Sequence, residues 1–593
     1  MKGRNISGQT WLPTSVAEIE RLGWEDIDVI IFSGDAYVDH PSFGPAVIGR
    51  VMEDEGLRVA IVPQPNWKDD LRDFRKLGKP NYFFGVTAGN MDSMVNHYTA
   101  ARRLRSDDAY TPGGRSGFRP DYPTVEYTRI LKSMFPDVPV VIGGIEASMR
   151  RLTHYDYWND QLQPSILISS GADLLVYGMG EQPIREIARL LRKGVPFGSM
   201  KTIPQTVIKL NDTDPLPARN GWKTITLNSF EKCVRDKELF AENFVMFEKE
   251  SNKIESARLV EPARLSKVVV NPPFRPMEEP DADRTYDMPY TYLPHPRYSK
   301  KGQIPAYEMI KFSVNIHRGC FGGCSFCAIA AHQGKHIVRR SESSIMKEID
   351  KLSNMDEFRG YLSDLGGPSA NMYGMRGKNL ALCLKCSRPS CIWPRVCSNL
   401  DTDHRRLLDL YKNVNARNDI KKAFVGSGLR YDLLYSEWNP NAGRTESEYL
   451  RELVTGHLSG RLKVAPEHTS GHVIELMRKV PFSLFRKLKK QFIEITSSNN
   501  LNYGIVPYFI SSHPGCSAED MQELAGELRS EGLKPEQVQD FTPTPMTLST
   551  LIYYTGKDPY SGKKIYVARS IQEKRKQKDL IFWYKKNRGM KPR

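Results

Sequence analysis

The segment HRGCFGGCSFC, residues 317–327, decides the fold assignment of this chain. Its cysteines, Cys320, Cys324 and Cys327, are separated by three and then two residues, with glycines at 319, 322 and 323. Cysteine thiolates are the usual ligands of iron–sulfur clusters, and three of them leave one iron of a cubane open to a cofactor or substrate. Glycine tolerates positive φ angles, so this backbone can wrap closely around a cluster. The segment therefore predicts a 4Fe-4S centre with an open iron.

A structural zinc site is the alternative for these three cysteines. Three Cys and one His form a common zinc set, which His317 or His332 would complete. The surrounding pattern favours the iron–sulfur interpretation. Phe312, Val314 and Ile316 alternate along a predicted strand that ends at the loop. Barrel enzymes place their catalytic groups at the carboxyl ends of strands, which is where this loop falls.

The loop resembles the defining motif of the radical S-adenosylmethionine (SAM) superfamily, in which an aromatic residue precedes the last cysteine. Phe326 fills that position. The resemblance implies that the open iron chelates the amino and carboxylate groups of SAM. It also implies that an electron from the reduced cluster cleaves SAM into methionine and a 5′-deoxyadenosyl radical, which then abstracts a hydrogen atom from a substrate. An electron donor such as flavodoxin or ferredoxin is therefore an expected partner.

Downstream of the loop, a glycine pair follows the next predicted strand. Radical SAM cores are partial (β/α)6 barrels, in which a Gly-Gly-Glu segment after the second strand contacts the SAM amino group. In this chain Gly366 and Gly367 are followed by Pro368 instead of glutamate. The contact is therefore expected from main-chain carbonyls or from Asp364, and an ordinary glycine-rich turn is the alternative.

Later predicted strands end in further polar residues. The strand predicted at 424–429 ends in Gly426, Ser427 and Gly428 and is followed by Arg430. Glu467 and His468 end the strand predicted from 463. His513 follows the strand predicted from 505. A lone histidine is more often a hydrogen-bonded structural residue than a catalytic acid or base. The residues expected to bind the cofactor are Gly366, Gly367, Ser427, Arg430 and Glu467.

Taken together, these motifs resemble the YgiQ family (UPF0313-type) of bacterial radical SAM proteins, and the resemblance covers nearly the whole chain. Five runs carry it in this order: residues 320–327, 363–373, 463–468, 507–515 and 537–556. The resemblance implies a cluster, SAM and a partial barrel, and it implies no particular substrate.

A second group of thiols lies within fifteen residues: Cys383, Cys386, Cys391 and Cys397. Four thiols at this density are typical of a metal site rather than of packing. An auxiliary iron–sulfur cluster, a zinc ion bound by all four thiolates and free redox-active thiols are the three alternatives. Seven of the nine cysteines thus fall in two tight groups, which suits metal ligation in a reducing, cytoplasmic compartment better than a disulfide framework.

The first 200 residues predict a doubly wound α/β sheet, because short apolar runs alternate with helical patterns. The runs Val141–Ser148 and Gly171–Glu186 resemble the cobalamin-binding-like domain that precedes many radical SAM cores. The lower-ligand motif of such domains is Asp-x-His-x-x-Gly. Around His40, Val38 and Phe43 stand where Asp and Gly are required. We therefore expect the fold without the vitamin, and binding without a histidine ligand is the alternative.

Four segments make up the predicted organisation. They are a cobalamin-binding-like domain at 1–200, an extended connector at 201–305, a radical SAM partial barrel at 306–548 with a Cys-rich insertion at 383–397, and a basic C-terminal tail at 549–593. The connector is expected because its stretch loses the alternating rhythm and is rich in Pro, Lys and Glu. The overall fold class is α/β, with the doubly wound sheet followed by the barrel.

The net charge of +16 favours an anionic partner, because Lys and Arg neutralise phosphates. Much of the excess lies between residues 563 and 593, where twelve Lys or Arg accompany two acidic residues. The tail is either a solvated basic segment or a contact with RNA or the ribosome. A non-catalytic metal-bearing RNA- or ribosome-associated protein is therefore the alternative function, although such a protein has no need of an open iron.

No stretch approaches the roughly 18 unbroken apolar residues of a membrane-spanning helix, so no membrane partner is expected. The start of the chain, residues 1–13, lacks the apolar core of a secretory signal. Together with the thiol distribution, this composition predicts a cytoplasmic protein.

Overall fold

The computed structural model describes residues 10–584 and divides them into two compact units. The first unit runs to Asn243 and resumes over Ile254–Lys311. The second unit consists of Phe244–Lys253 and the chain from Phe312 onward. Among the described helices, none is long and apolar enough to cross a lipid bilayer.

The first unit alternates strands with helices. Its strands are β1 (Val29–Ser33), β2 (Val38–Asp39), β3 (Val59–Pro63), β4 (Phe83–Thr87), β5 (Val140–Gly143), β6 (His154–Asp156), β7 (Gln161–Gln163), β8 (Leu174–Val176), β9 (Thr206–Asn211), β10 (Thr224–Thr226), β11 (Arg258–Ala263), β12 (Ser266–Val270) and β13 (Leu293–Pro294). Its helices are α1 (Val16–Arg21), α2 (Gly44–Asp54), α3 (Arg72–Arg75), α4 (Ser93–His97), α5 (Pro123–Met134), α6 (Gly144–Ser148), α7 (Ile166–Ser170), α8 (Glu181–Arg192), α9 (Phe230–Arg235), α10 (Lys237–Ser251, which continues into the second unit), α11 (Glu279–Tyr286) and α12 (Pro305–Ile310).

A nine-stranded sheet forms the centre of the first unit, in the order β10-β11-β12-β9-β8-β5-β4-β1-β3. The strands β3, β1, β4, β5 and β8 are parallel neighbours, and the first strand lies between the second and third parallel strands of the chain. This is the flavodoxin-like doubly wound order. The strands β1 and β3 are buried along their whole length, as continuous apolar runs predict. The predicted α/β sheet is confirmed.

The prediction of an extended connector at 201–305 is wrong. The strands β9, β10, β11 and β12 lie in this stretch and extend the sheet from β8. They form mostly antiparallel pairs, and β9 alternates between buried and exposed residues at its end. An antiparallel strand with one solvated face carries Lys and Glu, so its sequence lacks the continuous apolar run of the parallel strands.

The second unit also alternates strands with helices. Its strands are β14 (Ser313–Asn315), β15 (His317–Arg318), β16 (Val338–Arg339), β17 (Tyr361–Leu362), β18 (Asp364–Gly366), β19 (Lys422–Ala423), β20 (Arg461–Glu467), β21 (Gly504–Ser511) and β22 (Gln539–Asp540). Its helices are α13 (Ala328–Gln333), α14 (Glu342–Ser353), α15 (Leu380–Leu384), α16 (Arg405–Asn415), α17 (Arg444–Gly456), α18 (Gly471–Leu476), α19 (Phe482–Ser498), α20 (Ala518–Ser530), α21 (Leu548–Thr555) and α22 (Ile571–Ile581).

The strands of the second unit follow one another in parallel pairs. The strand β14 pairs with β18, and β17 pairs with β19. A parallel bridge from Leu429 to Val464 continues the series to β20, which pairs with β21, and β21 pairs with β22. Since helices connect these strands, the second unit is a partial (β/α)6 barrel. The predicted fold class is therefore confirmed in both units.

The prediction of a basic tail from residue 549 is wrong for the residues described up to 584. The helix α22 buries Lys574, Gln577 and Ile581 on one face, and its other charged residues lie on the solvated face. Gln577 accepts a hydrogen bond from Ser512 N at 2.8 Å and donates one to Cys516 O at 2.7 Å. Four of the twelve basic residues of this stretch lie in the helix, and Lys574 is the buried one among them. Residues 585–593 lie outside the described residues.

Candidate functional site

The cysteine loop is held by backbone bonds at both of its ends. Cys320 N donates to Gly334 O at 3.1 Å, and Cys327 N donates to Cys324 O at 3.1 Å. Gly323 has a φ of 60°, and a Cβ at this position would lie 2.3 Å from Pro389 O. Only glycine therefore fits where the loop meets the chain around residue 389.

The thiols of this loop lie in a buried environment. Burial raises the pKa of Cys320, and the charge of Arg430 opposes this rise. Burial, together with the neighbouring thiols Cys324 and Cys320, raises the pKa of Cys327 to about 12. A metal ligand must be a thiolate, so iron has to displace these protons when it binds.

A buried cation lies beside the cluster thiols. Arg430 Nη1 donates to Cys324 Sγ at 3.5 Å, while Nε and Nη2 donate to the Asp432 carboxylate at 3.2 and 2.5 Å. Burial lowers the pKa of Arg430, but the charges of Asp432 and Cys324 outweigh it and hold the pKa well above its usual value. The guanidinium therefore stays charged and donates a hydrogen bond to the Cys324 sulfur.

The glycine pair at the end of β18 is hydrogen-bonded to the loop after β19. Asp364 Oδ1 accepts from Gly426 N at 2.8 Å, and its Oδ2 lies 2.9 Å from Ser427 Oγ. The same hydroxyl lies 2.9 Å from Gly367 O. Burial raises the pKa of Asp364. The Asp364 carboxylate, one of the two groups expected to contact the cofactor, therefore accepts hydrogen bonds from the loop after β19 instead.

Polar atoms without partners lie next to this turn. A Cβ on Gly367 would lie 2.5 Å from His317 Cε1, so glycine is required for the close approach of the ring. Neither ring nitrogen of His317 has a hydrogen-bond partner within residues 10–584, and the same is true of Asn315 Oδ1. Burial lowers the pKa of His317 to about 3, so the ring is neutral. Buried polar atoms are nearly always hydrogen-bonded, so these atoms fit a polar ligand such as SAM.

Glu467 ends β20 in a left-handed conformation, with a φ of 68°. Such a backbone is rare for residues other than glycine, and it is more frequent at functional sites. Burial raises the pKa of Glu467, and the charges of Lys479 and Arg430 oppose the rise. The carboxyl group also influences Cys327, so it lies within electrostatic range of the cluster loop.

Both histidines singled out in the sequence have hydrogen-bond partners. His468 Nδ1 accepts from Ser470 N at 3.0 Å, and its Nε2 lies 3.5 Å from Cys516 Sγ. His513 Nε2 lies 2.7 Å from Ser549 Oγ, which in turn lies 2.8 Å from Ser325 Oγ in the cluster loop. Both histidines are therefore structural residues that hold neighbouring loops in place through hydrogen bonds.

The structure brings the predicted cofactor-binding residues together at the carboxyl ends of the strands. The Ser427 hydroxyl lies 2.9 Å from Gly367 O, and Arg430 donates a hydrogen bond to Cys324 Sγ. The charge of Arg430 also lowers the pKa of Glu467. No three His, Cys, Asp or Glu side chains within residues 10–584 lie close enough to enclose a single metal ion.

Several residues of the site were missed by sequence reasoning. Asn371 accepts from Arg430 N at 2.9 Å and donates to Arg430 O at 3.0 Å, which fixes the arginine. Glu248 accepts two bonds from Arg478, at 2.7 and 2.9 Å. This pair lines a small cleft whose wall includes Cys324 and Cys327. Asn371 lies inside a run that carried the family resemblance, whereas Glu248 lies in the predicted connector and gave no signal.

The corresponding crevice of the first unit is filled by side chains of the unit itself. In a flavodoxin-like sheet, ligands bind at the carboxyl ends of β1 and β4, where the strand order reverses. Arg119 lies at this point, bonded to Asp35 at 2.8 Å, to Asp108 at 2.9 and 3.1 Å and to Ala88 O at 3.0 Å. All three charged residues are buried. The residues present do not fit cobalamin here, and the absence of the vitamin stays a prediction.

Comparisons with known proteins define the class. The family described as Radical SAM N-terminal matches residues 11–313, about half of the chain, and a domain of unknown function (DUF3362) matches residues 536–588. A UPF0313 protein of Porphyromonas gingivalis is 57% identical, over 98% of this chain and 92% of that protein. A UPF0313 protein of Bacteroides thetaiotaomicron is 56% identical, over 97% and 94%. The radical SAM methyltransferase TsrM of Kitasatospora setae, with cobalamin and a [4Fe-4S] cluster bound, has a TM-score of 0.49, 13% identity, and coverage of 96% of this chain and 93% of that chain.

The chain is a radical SAM enzyme, with a 4Fe-4S cluster and SAM as its cofactors. It belongs to the UPF0313 family, as its motifs predicted. The alternative of a non-catalytic RNA-associated protein is therefore wrong. An electron donor such as flavodoxin or ferredoxin, and an RNA or ribosome contact through the basic C-terminal residues, stay predictions.

Proposed function

We propose that this enzyme cleaves SAM reductively and uses the 5′-deoxyadenosyl radical to abstract a hydrogen atom from its substrate. The observation that carries this proposal is the loop of Cys320, Cys324 and Cys327 next to a buried cation and to unpartnered polar atoms at the strand ends. The bound cluster supplies the electron that splits SAM into methionine and the radical, and hydrogen transfer converts the radical to 5′-deoxyadenosine.

Arg430 favours electron uptake at the site. Its guanidinium is buried and contacts Cys324 Sγ, so a positive charge and a hydrogen bond act on one cluster ligand. Hydrogen bonds to the sulfurs and the local charge set the reduction potential of iron–sulfur clusters. Asp432 and Asn371 hold the guanidinium in place.

His317 and Asn315 are the side chains proposed to orient SAM. A neutral imidazole offers one donor and one acceptor, and an amide oxygen accepts two hydrogen bonds. Asn315 is the last residue of β14, and His317 lies two residues further on, beside the Gly366–Gly367 turn. Together with Ser427 and Glu467, they would give the amino, carboxylate and hydroxyl groups of SAM polar partners.

Burial around the site also protects a radical from side reactions. Leu365 and Val314 are almost fully buried on the two strands next to the loop. A closed, water-poor site prevents competing reactions of reactive intermediates. The substrate must then reach the site through an opening, and the cleft beside Cys324 and Cys327 gives one route.

Product analysis of the anaerobically reconstituted protein tests the proposal. With SAM and dithionite, we expect 5′-deoxyadenosine and methionine in equal amounts, and Cys324→Ala should abolish both. Cys233→Ala is the matched control, because this buried cysteine lies in the first unit and bonds to Asn243. Accumulation of S-adenosylhomocysteine without 5′-deoxyadenosine would instead indicate methyl transfer and contradict the proposal. Cell extracts that stimulate 5′-deoxyadenosine formation would then identify the substrate class.

A further inference from the structure

We propose that the second cysteine group, Cys383, Cys386, Cys391 and Cys397, holds a second iron–sulfur cluster. This inference concerns a metal site apart from the three-cysteine loop, and it does not depend on SAM cleavage. It rests on the grouping of the four thiols, on the cation between them and on their packing against the first loop.

The cysteines lie on a segment with little regular structure. After α15 ends at Leu384, no helix or strand occurs until α16 begins at Arg405. Long irregular segments inside compact domains are uncommon, and metal binding supplies folding free energy to such segments. Several of its local bonds involve the cysteines: Cys397 N donates to Cys391 O at 2.8 Å, and Asn399 Nδ2 donates to Cys383 Sγ at 3.4 Å.

Main-chain hydrogen bonds hold the four cysteines in two pairs. Cys386 N donates to Cys383 O at 3.2 Å, and the bond from Cys397 N to Cys391 O forms the second pair. All four thiols are half-buried. Thiolates that are partly removed from water need a cationic centre beside them, which a bound metal centre supplies.

A buried lysine already lies among them. Lys335 Nζ donates to Arg388 O at 2.8 Å and to Cys386 O at 3.2 Å, and it lies 3.8 Å from Cys386 Sγ. Only 4% of this residue is exposed. A buried ammonium group is stable beside anionic sulfur, so its position fits thiolates bound to metal.

Adjacency to the first loop favours an iron–sulfur cluster over zinc. Cys391 N donates to Phe321 O at 3.0 Å, and Ser390 Oγ donates to Gly322 O at 2.8 Å. Cys320, Cys391 and Cys397 also pack against one hydrophobic cluster. Both metals accept four thiolates, but only iron–sulfur clusters are redox-active. A site built directly against a redox centre is therefore assigned to iron.

Metal analysis of a variant that lacks the first site tests the inference. The triple variant Cys320→Ala, Cys324→Ala, Cys327→Ala, purified anaerobically, should retain about four iron and four sulfide ions per chain. After reduction with dithionite it should show an electron paramagnetic resonance signal that SAM does not alter. Finding one zinc ion in place of iron, or no metal above background, would overturn the proposal.

A reciprocal variant covers the case in which the triple variant does not fold. Cys383→Ala with Cys386→Ala should lose about half of the wild-type iron and keep the SAM-sensitive signal, with unchanged circular dichroism. Cys233→Ala should keep all of the iron. If the double variant also kept all of its iron, the four thiols would not be cluster ligands, whatever the outcome for SAM cleavage.

Discussion

The two units differ in the polar side chains at the carboxyl ends of their parallel strands. At the carboxyl ends of β1 and β4, Arg119 is fully paired with Asp35 and Asp108. At the carboxyl end of β14, Asn315 and His317 leave buried polar atoms without partners in the described part of the chain. Parallel α/β folds bind ligands at these edges, so one edge is closed by its own ion pairs and the other is built for a ligand.

The comparison predicts its largest effect at the closed edge. Arg119→Met leaves Asp35 and Asp108 buried without their cation, so the free energy of unfolding should fall by about 3–5 kcal/mol. Lys132→Met is the matched control, because Lys132 and Asp173 form a more exposed pair and should contribute at most about 1 kcal/mol. Urea unfolding measures both. Equal losses would mean that the ion pairs of the crevice do not close the edge.

Acid should destabilise the protein through its buried neutral histidines. Burial lowers the pKa of His317 to about 3, below the usual 6.5. The unfolded chain takes up a proton near pH 6.5, whereas the folded chain does so only near pH 3. This stability is therefore complete above pH 6.5 and is lost as the pH falls toward 3, by about 2 kcal/mol near pH 5. His317→Leu should remove this part of the loss in urea unfolding, and an unchanged acid dependence would contradict the neutral state of the ring.

A smaller effect on binding should distinguish the open edge from the closed one. His317→Leu removes a proposed SAM contact, so SAM affinity should fall about tenfold, or about 1.4 kcal/mol. Because the wild-type ring nitrogens lack partners, stability near pH 8 should stay the same or rise. Equilibrium dialysis with the reduced protein measures the affinity. A loss of stability with unchanged affinity would show that the histidine is a structural residue.

The last prediction is that the first unit does not bind cobalamin. The Arg119 ion pairs fill the crevice of the first unit, so hydroxocobalamin should not bind to the wild-type protein. Absorbance titration under anaerobic conditions, followed by cobalt analysis after gel filtration, measures this. Saturable binding of one cobalamin per chain would show that the crevice opens and that the strand ends of both units can bind a ligand.

Sequence reasoning predicted what is local or strongly patterned. The cysteine spacing is carried within eleven residues, and buried parallel strands such as β1 and β3 read as continuous apolar runs. The glycine pair at 366 and 367 was also found, from its likeness to the Gly-Gly-Glu segment of radical SAM cores. The structure adds the physical reason for Gly367, which is the close approach of His317.

Long-range pairing explains what could not be predicted. The bond from Arg430 to Cys324 joins residues more than a hundred positions apart, so the sequence alone did not predict this contact. The strand β9 exposes Lys209 and Asn211, and β12 begins with the half-buried Ser266 and Lys267, so this stretch resembled a connector. The helix α22 has so many exposed basic residues that its buried stripe of Lys574, Gln577 and Ile581 was overlooked.

The central claim is that SAM binds to an open iron held by Cys320, Cys324 and Cys327 in the second unit. Electron–nuclear double resonance of the reduced protein with SAM carrying ¹⁷O in its carboxylate tests it most directly. We predict an ¹⁷O hyperfine coupling in the wild type and in the Cys383→Ala, Cys386→Ala variant. A reduced cluster that shows no coupling to the labelled carboxylate at saturating SAM would contradict the account.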